Sequence, residues 1–169
     1  METTVNTTLG EEGMAERRCW LMKSEEDEYS IDDLERDRSA AWTRVRNYEA
    51  RNLMRDEMSP GDLVLYYHSN AKPSGVVGLA RVASEPYPDP TQFDEDDPYY
   101  DEKASREDPR WWLVDVAFVE RFPRKVPLKE IKKHPELSDM VLVKRMRLSV
   151  QPVAAAELEL IRKLAAGPD

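Results

Sequence analysis

Cysteine is nearly absent from this sequence, and histidine is almost as scarce. The single thiol, Cys19, excludes an internal disulfide. It sits in a strand-like run, which fits a reducing compartment: the cytoplasm, or the nucleus if the source is eukaryotic. His68 and His134 are the only histidines, so no Cys/His cluster stands at metal-ligand spacing and a zinc site is not expected. Long apolar runs are missing too. The longest, Leu63 to Tyr67, falls far short of the roughly 20 residues a membrane span requires and reads as a buried strand, so no membrane partner is expected. Met1 to Glu16 lacks the apolar segment of a signal peptide and is expected to be a flexible tail ahead of one domain over residues 17–169. There is no GxSxG, Walker loop or GxGxxG, and Asp94-Glu95-Asp96-Asp97 lacks the turn glycine and ligand spacing of an EF-hand. No metal or cofactor is expected. A Ser/His/Asp triad, whose members meet only in the fold, stays open.

What the chain has in quantity is charge. With 40% hydrophobic and 35% charged residues it is a globular domain, with a formal net charge of −9. That charge argues against a nucleic-acid partner until its distribution is read. Glu85 to Asp108 carries ten acids against Lys103 and Arg106, a local net of −8. Arg121 to Arg147 carries nine bases against three acids, a local net of +6, and Ala41 to Arg55 a net of +3. The acidity is mostly one loop. Two basic segments remain, enough for a small footprint on a nucleic acid but not for extended duplex tracking.

The hydrophobic pattern predicts short strands alternating irregularly with short helices. Strands are expected at Cys19–Lys23, Leu63–His68, Val76–Val82, Trp111–Val119 and Leu148–Pro152. Helices are expected from Ser30, an N-cap with Asp33 in the capping-box position, from about Tyr48, over Leu128–Lys133, and over Val153–Ala166. Ser59-Pro60-Gly61-Asp62 reads as a turn. The proline-rich acidic segment from Glu85 to Arg110 interleaves Tyr87, Phe93, Tyr99 and Tyr100, and is expected to be ordered against the body. This is a mixed α/β pattern that suits a small curved β-barrel with peripheral helices better than a doubly wound sheet.

One stretch does not look like core. Trp42-Thr43-Arg44-Val45-Arg46-Asn47-Tyr48-Glu49-Ala50-Arg51-Asn52 offers flat π-faces, guanidinium forks and amides, groups that stack on and hydrogen-bond a planar, partly anionic ligand such as a nucleotide. Taken alone it reads equally as a capped surface helix with a half-buried Trp and solvated arginines. Elsewhere, strand ends finish in polar and aromatic clusters: Trp20 with Lys23 and Ser24, Tyr67-His68-Ser69-Asn70, Tyr87-Pro88-Asp89, and Arg147 with Ser149 and Gln151. Around one barrel mouth these would form apolar walls with a few placed donors and acceptors. At least two of Trp20, Trp111 and Trp112 are expected in the ordinary core.

Several of these motifs together resemble the EVE domain family. They are Trp20-Leu21-Met22-Lys23-Ser24-Glu25 with Tyr29-Ser30-Ile31-Asp32-Asp33-Leu34, Val45-Arg46-Asn47-Tyr48 with Ala50-Arg51-Asn52, Gly61-Asp62, and Tyr67-His68-Ser69-Asn70. Tyr87-Pro88-Asp89-Pro90-Thr91-Gln92-Phe93-Asp94, Trp111 with Val114-Asp115-Val116, and Arg147-Leu148-Ser149-Val150-Gln151-Pro152 complete the set, in the family's order from Cys19 onward. The resemblance implies a PUA-like fold, related to the YTH readers of methylated adenine. It implies a pocket for a modified nucleobase in DNA or RNA, with methylated or hydroxymethylated cytosine and similar bases as the ligand class. Glu26, Arg44 and Glu49 stand where the family usually has proline, glycine and glutamine.

On this reading Trp20, Trp42 and Tyr67 are candidate stacking walls. Asn47, Ser69, Asn70, Ser149 and Gln151 are candidates to read the base edge, and Lys23, Arg46 and Arg147 to meet phosphate or a carbonyl oxygen. Ser24, His68, Tyr87 and Asp89 complete the candidate rim. The expected function is non-catalytic recognition. The alternatives are an enzyme on modified nucleosides or RNA, with His68 or Lys23 as base or nucleophile, and an interaction module whose acidic loop meets a basic protein.

Overall fold

A computed structural model describes residues 17–167. The expected tail at residues 1–16 lies outside them. Six strands form one sheet in the order β2-β7-β4-β3-β1-β8, curled into a half-barrel. They are β1 (Cys19–Glu25), β2 (Ser39–Ala41), β3 (Leu63–Ser69), β4 (Gly75–Val82), β7 (Asp115–Pro127) and β8 (Val150–Val153). β1 and β3 run parallel, with Trp20 beside Val64 and Met22 beside Tyr66, and the other pairs are antiparallel. The mixed, curled architecture agrees with the sequence-based expectation.

Both faces of the sheet are covered, which is why its strands read as nearly continuous apolar runs. On one face Trp20, Met22, Val64, Tyr66, Ala80 and Val150 pack under α1 (Ile31–Asp37) and α2 (Tyr48–Asn52), which continues as a π-helical turn over Leu53–Glu57. On the other face Cys19, Leu21, Leu65, Tyr67, Leu79 and Val126 pack under α3 (Leu128–Ile131), α4 (Val141–Lys144) and α5 (Ala155–Ala165). Alternate residues of one strand thus serve two separate cores. α1 begins at the expected capping box, where Ser30 accepts from the Asp33 N–H and Asp33 from the Ser30 N–H. Ala50, Met54 and Met58 of the second helical segment point inward as their spacing predicts.

Some boundaries differ. The expected strand Trp111–Val119 is divided: Trp112–Leu113 (β6) pairs with Tyr87–Pro88 (β5), and β7 starts at Asp115 and runs far beyond Val119, to Pro127. Between them the carbonyl of Val114 accepts the N–H of Trp42 (3.0 Å), a contact across the chain that no local pattern announces. Leu148 and Ser149 belong to a turn, so the last strand starts at Val150. β7 also comes very close to β4 at Gly78, where a Cβ would lie 2.6 Å from the Glu120 carbonyl oxygen and 2.9 Å from Ile31 Cδ1. No described helix is long and apolar enough to cross a membrane.

The start of the barrel is fastened by Asp62, which is buried beside the Ser59–Gly61 turn. Its carboxylate accepts from Trp20 Nε1 (3.0 Å), the Arg18 N–H (3.1 Å) and the Ser59 N–H (3.0 Å). Removing an acceptor from buried donors costs about 1–3 kcal/mol per stranded group. Of the three donors only Trp20 Nε1 is buried, the other two belonging to exposed residues, so Asp62→Ala is expected to lose about 1–3 kcal/mol, a fall in Tm on the order of 2–12 °C by calorimetry. An unchanged Tm would mean that water replaces the carboxylate without loss.

Candidate nucleobase-binding site

After β2 the chain leaves the sheet and becomes one wall of a cavity of about 920 Å³. The Val114 hydrogen bond turns Trp42 inward, where its ring meets Tyr66 edge to face at 5.5 Å and 89°. Trp42 is 8% exposed, and what remains open lines the cavity. Arg44 follows with φ 74, a left-handed backbone that disfavours a side chain, so the preference for glycine at this position has a plain steric reason. Its N–H donates to Asp89 Oδ2 (2.7 Å), which holds the turn. Arg46 is held from four sides. It donates to Asp89 Oδ2 (3.2 Å), Thr91 Oγ1 (2.9 Å) and the carbonyls of Tyr99 (2.8 Å) and Val45 (3.2 Å). Asn47 then caps α2 by accepting the Ala50 N–H (2.8 Å).

The facing wall is the turn before β8. The Lys23 N–H donates to the Ser149 carbonyl (3.0 Å), and Lys23 Nζ donates to the Met146 carbonyl. Burial holds the Lys23 ammonium below its ordinary pKa, and it makes no ion pair among the described residues. Gln151, fully buried, braces the turn from behind through the carbonyls of Leu148 (2.7 Å) and Arg145 (3.3 Å). A bidentate pair between Arg145 and Glu49 (2.7 and 2.9 Å) ties this wall to α2. Arg147 is exposed on the rim, with no hydrogen bond or ion pair among the described residues.

Of the residues nominated from sequence, Lys23, Ser24, Trp42, Arg46, Asn47, Ser69, Arg147 and Ser149 line this one cavity. Trp20, Tyr67, His68, Asn70, Tyr87, Asp89 and Gln151 do not. Trp20 is core, bonded to Asp62. Tyr67 points into the opposite core because strand side chains alternate; its neighbour Tyr66 is the one that backs Trp42. His68 is 4% exposed, with Nε2 accepting the Ile31 N–H (3.1 Å) and Nδ1 without a partner. Asn70 turns out to Glu25, and Tyr87 donates to Asp115 (2.6 Å). Asp89, 1% exposed, supports the wall from behind. The sequence reading did not nominate Glu25, Glu28, Tyr29, the Ala40-Ala41 pair, Thr43, Arg44, Val45 and Tyr99, which also line the cavity. Glu25, Tyr29 and Thr43 to Val45 stood in stretches already singled out and Tyr99 among the aromatics of the acidic loop, whereas Glu28 and the alanines carried no signal.

A curled mixed sheet with helices on both faces, opening on an aromatic-floored cavity with a charged rim, defines a PUA-like domain. The chain belongs to the EVE domain family, whose model matches residues 18–164. It is similar to thymocyte nuclear protein 1 of Danio rerio (42% identity over 86% of this chain and 71% of that one) and of Gallus gallus (40%, over 92% and 72%). Among solved structures it is similar to a hypothetical protein from Leishmania major (46% identity, TM-score 0.85, covering 89% of this chain and 96% of that one). Human THYN1 in complex with DNA containing 5-methylcytosine is similar at 37% identity and TM-score 0.85, covering 90% and 99%. The YTH domain of Zygosaccharomyces rouxii MRB1 shares the fold at TM-score 0.55 and 17% identity, over 91% and 87%.

Burial, followed by the nearby Lys125, pushes the His68 pKa below its ordinary value of 6.5, more than Glu26, Asp32 and Asp33 raise it. The unfolded chain therefore takes a proton near pH 6.5 that the folded chain refuses until lower pH. Between those two values the unfolded state binds more protons, so stability falls as pH falls. The urea midpoint is expected to drop more steeply below pH 6.5 for the wild type than for His68→Gln. Equal slopes would remove His68 as the source.

Proposed function

We propose that this chain is a non-catalytic reader of a modified nucleobase, methylated or hydroxymethylated cytosine or a similar base, in DNA or RNA. The observation that carries the reading is the cavity beside Trp42: large enough for a nucleotide, aromatic on its floor, and lined by Lys23, Arg44, Arg46 and Arg147 against the two carboxylates Glu25 and Glu28. Such a site takes a base that is flipped out of a duplex or already single-stranded. Stacking on Trp42 would supply about 1–3 kcal/mol. Ser149, Asn47 and Thr43 offer hydrogen-bonding groups toward the base edge, and Arg147 offers an uncommitted guanidinium to phosphate. The 5-methylcytosine in the human THYN1 complex supports the ligand class.

Two side chains bear on catalysis. His68 stands off the cavity lining with Nε2 already accepting a backbone N–H, and Lys23 Nζ is engaged by a backbone carbonyl. Neither is disposed as a free base toward a bound substrate, which supports recognition over turnover. The reading places the protein with nucleic acid, in the cytoplasm or nucleus.

The test is a binding series with modified and unmodified oligonucleotides. Trp42→Ala is expected to lower affinity for the modified base on the order of 10-fold or more, with a smaller loss on unmodified strands, because stacking acts on the base and cations act on the backbone. Truncation of a buried Trp costs about 3–5 kcal/mol of stability, so melting of Trp42→Ala and of the milder Trp42→Phe is measured first. A folded Trp42→Ala that keeps the preference would show that Trp42 is no wall of the site. Affinity is also expected to fall with salt at a shallow slope, worth about two to four phosphates. A slope near zero, or one of duplex-tracking size, would contradict the small footprint.

A further inference from the structure

Beside the cavity mouth lies a second feature that the base-reading site does not use. Tyr48 is 50% exposed at the start of α2, directly after the cavity residue Asn47. Its ring stacks on Trp111 with centroids 4.8 Å apart and planes at 21°. The Arg51 guanidinium lies 4.7 Å from the Tyr48 ring and 5.9 Å from Trp111, so the three groups close a triangle with Arg51 beside the stack and not capping its outer side. From Trp111 the series continues inward: Arg46 lies 5.3 Å from that ring and 5.5 Å from Tyr99, which lines the cavity. The series thus runs from Tyr99 at the cavity through Arg46 to the Trp111 ring and the Tyr48 ring stacked on it, which is half exposed.

The outer end is also short of negative charge. Arg51 donates to Asn52 Oδ1 and to the carbonyl of Arg110, and makes no ion pair among the described residues. Arg110 donates to Tyr48 Oη (3.3 Å), and among the described residues its only acid is Asp101 at a loose 3.9 Å. Burial and the neighbouring guanidinium of Arg55 hold Arg51 below its ordinary pKa, as expected where cations are gathered faster than acids. A half-open ring flanked by undercompensated guanidinium groups suits a base with its phosphate: the ring takes the base face and the arginines the anion.

We propose that Tyr48, Arg51 and Arg110 form a second subsite that stacks a nucleotide flanking the recognised base on the same single strand. The proposal rests on the reading of the cavity as the base site. It assigns the two parts different work: the cavity selects the modification, and the Tyr48 subsite adds affinity whatever the flanking base, because every base has a π-face.

The probes are 5-methyl-dCMP and single-stranded DNA pentamers with one central 5-methylcytosine or cytosine. Wild type is expected to bind the modified pentamer more tightly than the mononucleotide. Tyr48→Ala is expected to weaken the pentamer on the order of 5- to 10-fold while leaving the mononucleotide affinity and the methylated-to-unmethylated ratio unchanged. Tyr48→Phe, which keeps the ring, should bind the pentamer like wild type, and Arg51→Gln should reduce its salt slope by about one phosphate. A wild-type measurement stands apart from any folding defect: 2-aminopurine next to the methylcytosine should be quenched on binding, as stacking requires. If no preference for the methylated base exists but the pentamer gain still depends on Tyr48, the base reading falls and the subsite stands. If a folded Tyr48→Ala binds the pentamer like wild type, or the 2-aminopurine stays bright, the subsite is overturned.

Discussion

Asp89 is the contact on which the shape of the site depends. Its carboxylate accepts the Arg44 N–H, Arg46 Nη1, the Thr91 N–H and Thr91 Oγ1, and it is shut away from water. Through Arg44 it holds a backbone turn that a side chain disfavours, and through Arg46 it fixes the guanidinium sandwiched between Trp111 and Tyr99. A buried carboxylate this well bonded is costly to leave half-paired, which ties the segment from Thr43 to Asn47 to the acidic loop. The wall carrying Trp42 inherits its position from an acid outside the cavity.

The same arrangement explains how an acidic protein keeps the carboxylates of its acidic loop out of the cavity, whose acids are Glu25 and Glu28 alone among the described residues. Asp89, Asp97 and Asp101 are spent on Arg46, Arg44 and Trp111 Nε1, so much of the acidic loop is folded onto the arginine segment and does not face the cavity. Net charge is then a poor guide to local field. What remains positive at the rim is selective: Lys23 and Arg147 inside the mouth, Arg51 and Arg110 beside it. Arg46, which from sequence looked like a phosphate ligand, has its donors committed to the protein and acts as a strut.

The fold was largely legible because its signals are local or nearly so. Ser30 with Asp33 spells a cap, Ala50-Met54-Met58 spells an inward helix face, and the apolar runs of β3 and β4 spell strands covered on both sides. The site was legible only in part, for two physical reasons. Strand parity decides which of Tyr66 and Tyr67 meets Trp42, and parity cannot be assigned until the faces of the sheet are known. Polar atoms have more than one possible partner, and most take a protein one. Gln151 braces a turn, His68 accepts a backbone N–H and Tyr87 finds Asp115. A side chain of the right chemistry becomes available to a ligand only if the fold leaves it unclaimed, and that ledger is written by long-range contacts.

The strand order ends in β2 on one side and β8 on the other, and each has a single hydrogen-bonded neighbour. The cavity takes Ala40 and Ala41 from the first edge and Ser149, the lead-in to the second, so it occupies the seam where the half-barrel fails to close. A ligand seated there spans both edges and supplies contacts that a further strand would supply in a closed barrel. Fraying of either edge and release of the ligand then become the same event. Occupancy should be felt as slowed amide exchange along β2 and β8, where local fraying is suppressed, and along β3 and β4 by the amount that the ligand raises global stability.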